Sequence, residues 1–112
     1  MKHIIAVIRP EKLDDVRHAL GEVGYSGLMI SEIQGHGKQK GIVQQWRGEK
    51  YKVDLISKIK LEVVVKDGEA EAITKTIIEN ARTGEIGDGK IFITHVDEVI
   101  RIRTGEEGEI AL

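Results

Sequence analysis

Residues 58–65 read Lys58-Ile59-Lys60-Leu61-Glu62-Val63-Val64-Val65. Alternation sends Ile59, Leu61, Val63 and Val65 to one side and Lys58, Lys60, Glu62 and Val64 to the other, a strand with one core face and one mixed face. Downstream, a helix from about Glu69 to Ala81 carries Ile73, Ile77 and Ile78 on one side. A glycine-rich connection from Thr83-Gly84 to Gly89 leads into a strand at Lys90 to His95, and an extended piece, Val99 to Arg103, precedes an acidic, glycine-containing tail. Upstream, residues 2–9 (KHIIAVIR) are a short β-branched, apolar run that reads as a strand buried on both faces and ended by Pro10. Pro10 then opens a helix with Glu11, Asp14 and Asp15 toward its positive end, Leu13, Val16, Leu20 and Val23 on one stripe, and Gly24 at its stop. A weakly alternating strand, Leu28 to Gln34, runs into Gly35-His36-Gly37. Between it and residue 58, Lys38 to Ser57 shows no sustained period, so a long loop is expected, with an exposed hairpin as its alternative.

The order is therefore βαβ twice. With both helices on one sheet face this predicts an α+β fold, a ferredoxin-like βαββαβ sandwich forming a single domain over 1–112, with a long exposed loop after the second strand. The helices cover one face only. Apolar side chains on both sides of the first strand predict that the second face is covered as well, by another copy of the chain.

Composition narrows the function. The chain has 112 residues, 40% of them hydrophobic and 32% charged, the balance of a soluble globular domain. Zero Cys excludes a disulfide framework, a zinc ribbon and a thiol nucleophile. The start MKHIIAVIRPEK has no apolar run with a cleavage site, and no stretch approaches a membrane span, so a cytoplasmic protein without direct membrane insertion is expected. Net charge −2 offers no global attraction to nucleic acid, and one Phe, one Trp and two Tyr argue against a base-stacking platform of several aromatics. Any anion site must be local.

One local candidate is Gly84-Glu85-Ile86-Gly87-Asp88-Gly89-Lys90-Ile91, which satisfies GxxxxGK and then departs from it, since Ile91 replaces the Ser or Thr that would hold magnesium. It also leaves a helix and opens a strand, the reverse of a Walker loop. Three closely spaced glycines can still turn backbone N–H groups toward an anion, beside a lysine. Arg101-Ile102-Arg103, read as a strand, places both guanidinium groups on one face, where they meet an anionic ligand or pair with Asp or Glu across strands. The four histidines, at positions 3, 18, 36 and 95, have no metal-ligand spacing. No residue is set up as a nucleophile or general base, so an enzyme reading has no nominated catalytic residue.

The run from Thr83 through Gly87-Asp88-Gly89-Lys90 to Ile93, followed by Arg101-Ile102-Arg103-Thr104-Gly105-Glu106, resembles the C-terminal signature of the PII nitrogen-regulatory signal proteins. The N-terminal half is similar to that family through Ile8-Arg9-Pro10, Gly35-His36-Gly37-Lys38-Gln39-Lys40-Gly41 and Arg47-Gly48-Glu49 with Tyr51. The likeness spans the chain and falls nearest the GlnK-like branch, which controls ammonium transporters.

The resemblance implies a homotrimer in which ATP and ADP compete for clefts between subunits, with Mg2+ and 2-oxoglutarate joining the ATP state. Gly87, Asp88, Gly89 and Lys90 would wrap the phosphates, with Arg101 and Arg103 neutralising charge across a subunit boundary. Gly37, Lys38 and Gln39 would close from the loop base, Gln39 as a magnesium ligand, and Lys58 would pair with a carboxylate of 2-oxoglutarate. Glu62 and Val64 would border the adenosine. The loop at about 37–57 would dock on an ammonium transporter of the Amt type, with Arg47 at its tip, making the protein peripheral to the membrane through that partner. The rival target is a soluble nitrogen enzyme: N-acetylglutamate kinase, glutamine synthetase or nitrogenase. Tyr51 matches a position uridylylated in some family members. Met29 departs from the family's usual Thr near the adenine, and Trp46 is an unusual neighbour for Arg47.

Overall fold

The computed structural model describes residues 1–25, 27–36, 42–46, 49–53 and 55–112. Among them the chain forms β1 (Lys2–Ile8), α1 (Leu13–Glu22), β2 (Met29–His36), β3 (Ile42–Trp46), β4 (Glu49–Val53), β5 (Leu55–Val65), α2 (Ala70–Ala81) and β6 (Lys90–His95). Short 3-10 turns at Pro10–Lys12 and Asp67–Glu69 lead into the two helices. Four strands make one antiparallel sheet in the order β2-β5-β1-β6, while β3 and β4 pair only with each other. This is the expected ferredoxin-like arrangement.

The alternation of β5 is realised. Ile59, Leu61, Val63 and Val65 are buried with Ile4, Ala6 and Ile8 of β1 against Val16 and Leu20 of α1 and Ala70, Ile73, Ile77 and Ala81 of α2. Each fully buried Ile or Leu there contributes about 1.5–3 kcal/mol relative to exposure. Val23, the last member of the expected α1 stripe, falls at the helix C-cap and is exposed. Gly24 ends that helix as expected, at φ 94°, and the Tyr25 N–H reaches back to the Leu20 carbonyl at 2.8 Å.

Two expectations are corrected. Where residues 38–57 were expected to form a loop, the hairpin alternative holds for the described part: β3 and β4 pair in register from Ile42↔Val53 to Trp46↔Glu49, and β5 begins at Leu55. Val99 to Arg103 is not a strand. It makes a single bridge, Ile100↔Glu107, and then turns back, the Gly105 N–H donating to the Arg101 carbonyl at 2.7 Å and the Arg101 N–H to the Glu106 carbonyl at 2.8 Å. Gly105 takes φ 73°, a left-handed conformation that glycine adopts without a Cβ penalty.

The face opposite the helices is mixed. In cross-sheet rows it carries Lys90, Val7, Lys60 and Ser31, then Phe92, Ile5, Glu62 and Met29, then Thr94, His3 and Val64. Phe92 and Met29 are each about half exposed, at 52% and 53%. No described helix is long and apolar enough to cross a membrane.

Candidate functional site

The glycine loop between α2 and β6 is held by residues far away in sequence. Asp88 turns its carboxylate into the loop: the Thr83 hydroxyl donates to Oδ1, and the Thr83 and Gly84 N–H groups donate to Oδ2 at 2.8 Å each. Arg9, just past β1, donates from Nε to Asp88 Oδ1 at 3.0 Å and from Nη2 to the Ile86 carbonyl at 2.8 Å. The Thr83 hydroxyl above all, with these N–H donors, outweighs partial desolvation and holds the Asp88 carboxyl well below the usual carboxylate range. Lys58, on β5, is buried at 9% exposure and donates from Nζ to the Gly87 carbonyl.

Glycine is required at three points of this loop, since Gly84, Gly87 and Gly89 have φ of 90°, 105° and 102°. At Gly89 the requirement is also steric: an added Cβ would lie 1.7 Å from the Val7 carbonyl oxygen. Close backbone contact between loop and β1 therefore depends on that residue. Lys90 follows as the first residue of β6, exposed, on the open face of the sheet beside Val7. Gly87, Asp88, Gly89, Lys90 and Lys58 thus form one group at the Ile8 end of the sheet. Beside Lys58 opens a pocket of about 450 Å³ lined by Pro10, Glu32, Ile33, Gln34, Ser57 and Ile59.

The remaining expected residues lie elsewhere. Glu62 is at the middle of the open face, opposite Met29 on β2, with His3 Nε2 at 3.2 Å from its Oε1. Val64 pairs with His3 near the other end. The C-terminal tail reaches that end too, since Glu109 and Leu112 line a pocket with Val63, Val64, Val65 and Lys66. Arg101 belongs to this second group: its Nη2 donates to the Ile110 carbonyl at 2.8 Å and its Nη1 to Glu106 Oε1 at 2.7 Å. Arg103 is exposed on the same turn. The reading of both arginines on one strand face therefore falls with the strand, and the Arg101 guanidinium meets a carboxylate of its own turn.

Lys58 and Val64 are separated by six residues of β5, a span of about 20 Å along the strand. The glycine loop and the arginine turn are thus at opposite ends of the sheet. Gly37, Lys38, Gln39 and Arg47 lie outside the described residues, and Tyr51 is placed only by its backbone, opposite Gln44 in the β3–β4 pair. Among the described residues no three His, Asp or Glu side chains gather as a metal site. Arg9 and Thr83 hold the loop in place, and the motif reading did not nominate either as a site residue. Arg9 has partners 77 and 79 positions on, beyond any local pattern.

The donor chemistry suits a polyphosphate: positive-φ glycines, a terminal lysine, and backbone groups oriented by fixed cations. A family model described as "Nitrogen regulatory protein P-II" matches residues 1–106. The chain is 54% identical over 112 residues to "Nitrogen regulatory protein P-II" of Haemophilus influenzae, covering 100% of both. It is 53% identical over 112 residues to "Nitrogen regulatory protein P-II 1" of Escherichia coli (strain K12), again covering 100% of both. It is 51% identical over 112 residues to "Nitrogen regulatory protein P-II 2" of Methanothermobacter thermautotrophicus, covering 100% of this chain and 97% of that protein.

Proposed function

The chain belongs to the nitrogen regulatory protein P-II family, and from that premise we propose that it is a sensor which binds ATP or ADP between subunits of a homotrimer and controls ammonium uptake through its loop. The observation that carries this reading is the separation of the glycine loop from the arginine turn. One copy holds Gly87, Gly89, Lys90 and Lys58 at one end of its sheet and Arg101, Arg103 and Val64 at the other. A nucleotide touching both sets spans two copies. Phosphates lie on the glycine loop of one, and the arginines and the Glu62–Val64 edge of its neighbour enclose the rest. Charge-assisted bonds from several donors suit a polyphosphate.

Met29 stands beside Glu62 and offers the base apolar contact. Gln39 would hold Mg2+ together with the ATP phosphates, and the ion would supply the positive charge that lets the dicarboxylate 2-oxoglutarate join the ATP state. Lys58, next to both the glycine loop and the pocket at the end of β2, pairs with a carboxylate of that ligand. The loop at 37–57 carries Arg47 to an ammonium transporter of the Amt type, from the cytoplasmic side, and a guanidinium can bind several carbonyls in a pore mouth. ADP-bound protein docks and blocks, while ATP, Mg2+ and 2-oxoglutarate withdraw the loop, so effector and partner are linked negatively.

The test is calorimetric titration with 2-oxoglutarate in Mg2+ and saturating ATP, repeated with ADP. Binding in the ATP condition alone is expected. Binding that ignores the nucleotide would sink the linkage, and a chain that binds neither nucleotide would sink the sensor.

A further inference from the structure

The glycine loop is held by its own glycines, Thr83 and Asp88, and also by one residue distant in sequence. Arg9 follows β1 in extended backbone, φ −65° and ψ 139°, and its carbonyl accepts the Lys12 N–H at 3.0 Å, so its Cα is fixed between strand and turn. Only 16% of its side chain is exposed. The planar guanidinium reaches two points of one loop at once, the Asp88 carboxylate at 3.0 Å and the Ile86 carbonyl at 2.8 Å. Such a rigid fork sets orientation as well as distance.

Peptide geometry carries the consequence. All described peptide bonds are trans, and in a trans peptide the N–H points opposite to the C=O of the same plane. The Ile86 carbonyl is turned onto Arg9 and the Gly87 carbonyl onto Lys58. The N–H groups of Gly87 and Asp88 are therefore directed away from those cations. Successive amides that converge make an anion-binding concavity, a geometry that positive φ at Gly87 and Gly89 permits.

From this geometry we infer that Arg9 is a positioning residue for polyphosphate: it sets the 86–89 amides through Asp88 and the Ile86 carbonyl without touching the ligand. The inference rests on the nucleotide-binding reading of the loop. Removing the fork leaves Asp88 with its Thr83 and Gly84 donors but frees the Ile86–Gly87 peptide to rotate, and ordering it again then opposes binding.

ATP titration of the wild type, Arg9→Gln, Arg9→Lys, Asp88→Asn and Arg9→Gln/Asp88→Asn tests it. The Gln variant is expected to lose roughly tenfold in ATP affinity, as fits the loss of a charge-assisted pair. The Lys variant, which keeps a cation within reach of Asp88, should recover to within about threefold of wild type. The double variant should lose less than the two single losses combined, because the Arg9–Asp88 contact is common to both changes. Wild-type affinity in Arg9→Gln, or fully additive losses, would overturn the inference and leave nucleotide binding standing. A wild type that does not bind ATP would take down the functional reading itself. A second readout works on the unaltered protein: the Arg9 Nε–H resonance should keep its Asp88-bonded shift at ATP saturation, and a large displacement would make Arg9 a direct ligand and defeat the positioning role.

Discussion

The glycine loop at 83–90 and the arginine turn at 99–107 both carry cations and positive-φ glycines, yet they direct their hydrogen bonds in opposite ways. In the loop, the acidic side chain is enclosed: Asp88 accepts from Thr83, Gly84 and Arg9, and loop carbonyls are drawn to Arg9 and Lys58. In the proposed reading, the backbone N–H groups of the loop are what a phosphate meets. In the turn, the cation itself is engaged, since Arg101 meets Glu106 at 2.7 Å and the Ile110 carbonyl at 2.8 Å. The first arrangement suits the proposed anion site, whereas the second must open or share its cation before it can serve one. A basic residue beside a glycine is thus no guide to anion binding until its partner is known.

The largest expected effect is at the loop. Gly89→Ala combines φ 102° with a Cβ 1.7 Å from the Val7 carbonyl oxygen, so backbone must shift, and we expect a loss of about 3 kcal/mol or more in urea unfolding. A loss below about 1 kcal/mol would show that the loop is not held tightly on β1.

Next comes the pH dependence of Asp88. Its carboxyl is depressed in the folded protein from the ordinary value of 3.8, so its contribution is fully present above that value and fades as pH falls toward the depressed one. The stability difference between wild type and Asp88→Asn should therefore narrow as pH is lowered below about 4. A difference that stays constant across that window would break the assignment.

The turn should respond more mildly. Gly105 has φ 73° but nothing within 4 Å of an added Cβ, so Gly105→Ala should cost about 1 kcal/mol, the left-handed penalty without a clash. Smallest of all is Glu106→Gln, which removes a partly exposed ion pair and should lower stability by less than about 1 kcal/mol. It frees Arg101, and ATP affinity should rise by up to a few-fold. A fall in affinity would mean that Glu106 holds Arg101 ready for ligand rather than away from it.

The sequence was most legible where periodicity meets a buried face. Ile59 through Val65 and Ile73 with Ile77 announce strand and helix because their apolar positions face one core. It was least legible where an alternating run is short or partners are distant. β3 (IVQQW) has no period of two, and β4 (EKYKV) alternates only through Tyr51 and Val53, too few positions to mark a strand. Val99-Ile100-Arg101-Ile102-Arg103 alternates like a strand, yet Gly105 allows a turn and Glu106 captures Arg101. The candidate site was legible as motif, since the glycines and Lys90 mark the loop. What orients the loop was hidden, because Arg9 and Lys58 reach it only in the folded chain.

The central claim is that this loop binds polyphosphate through its backbone, and amide NMR under ATP titration tests it most directly. The account predicts that the Gly87, Asp88 and Gly89 amides move strongly with ATP, with smaller changes at the Arg101 turn. Perturbations confined to the turn, with the loop amides unmoved at saturation, would contradict it.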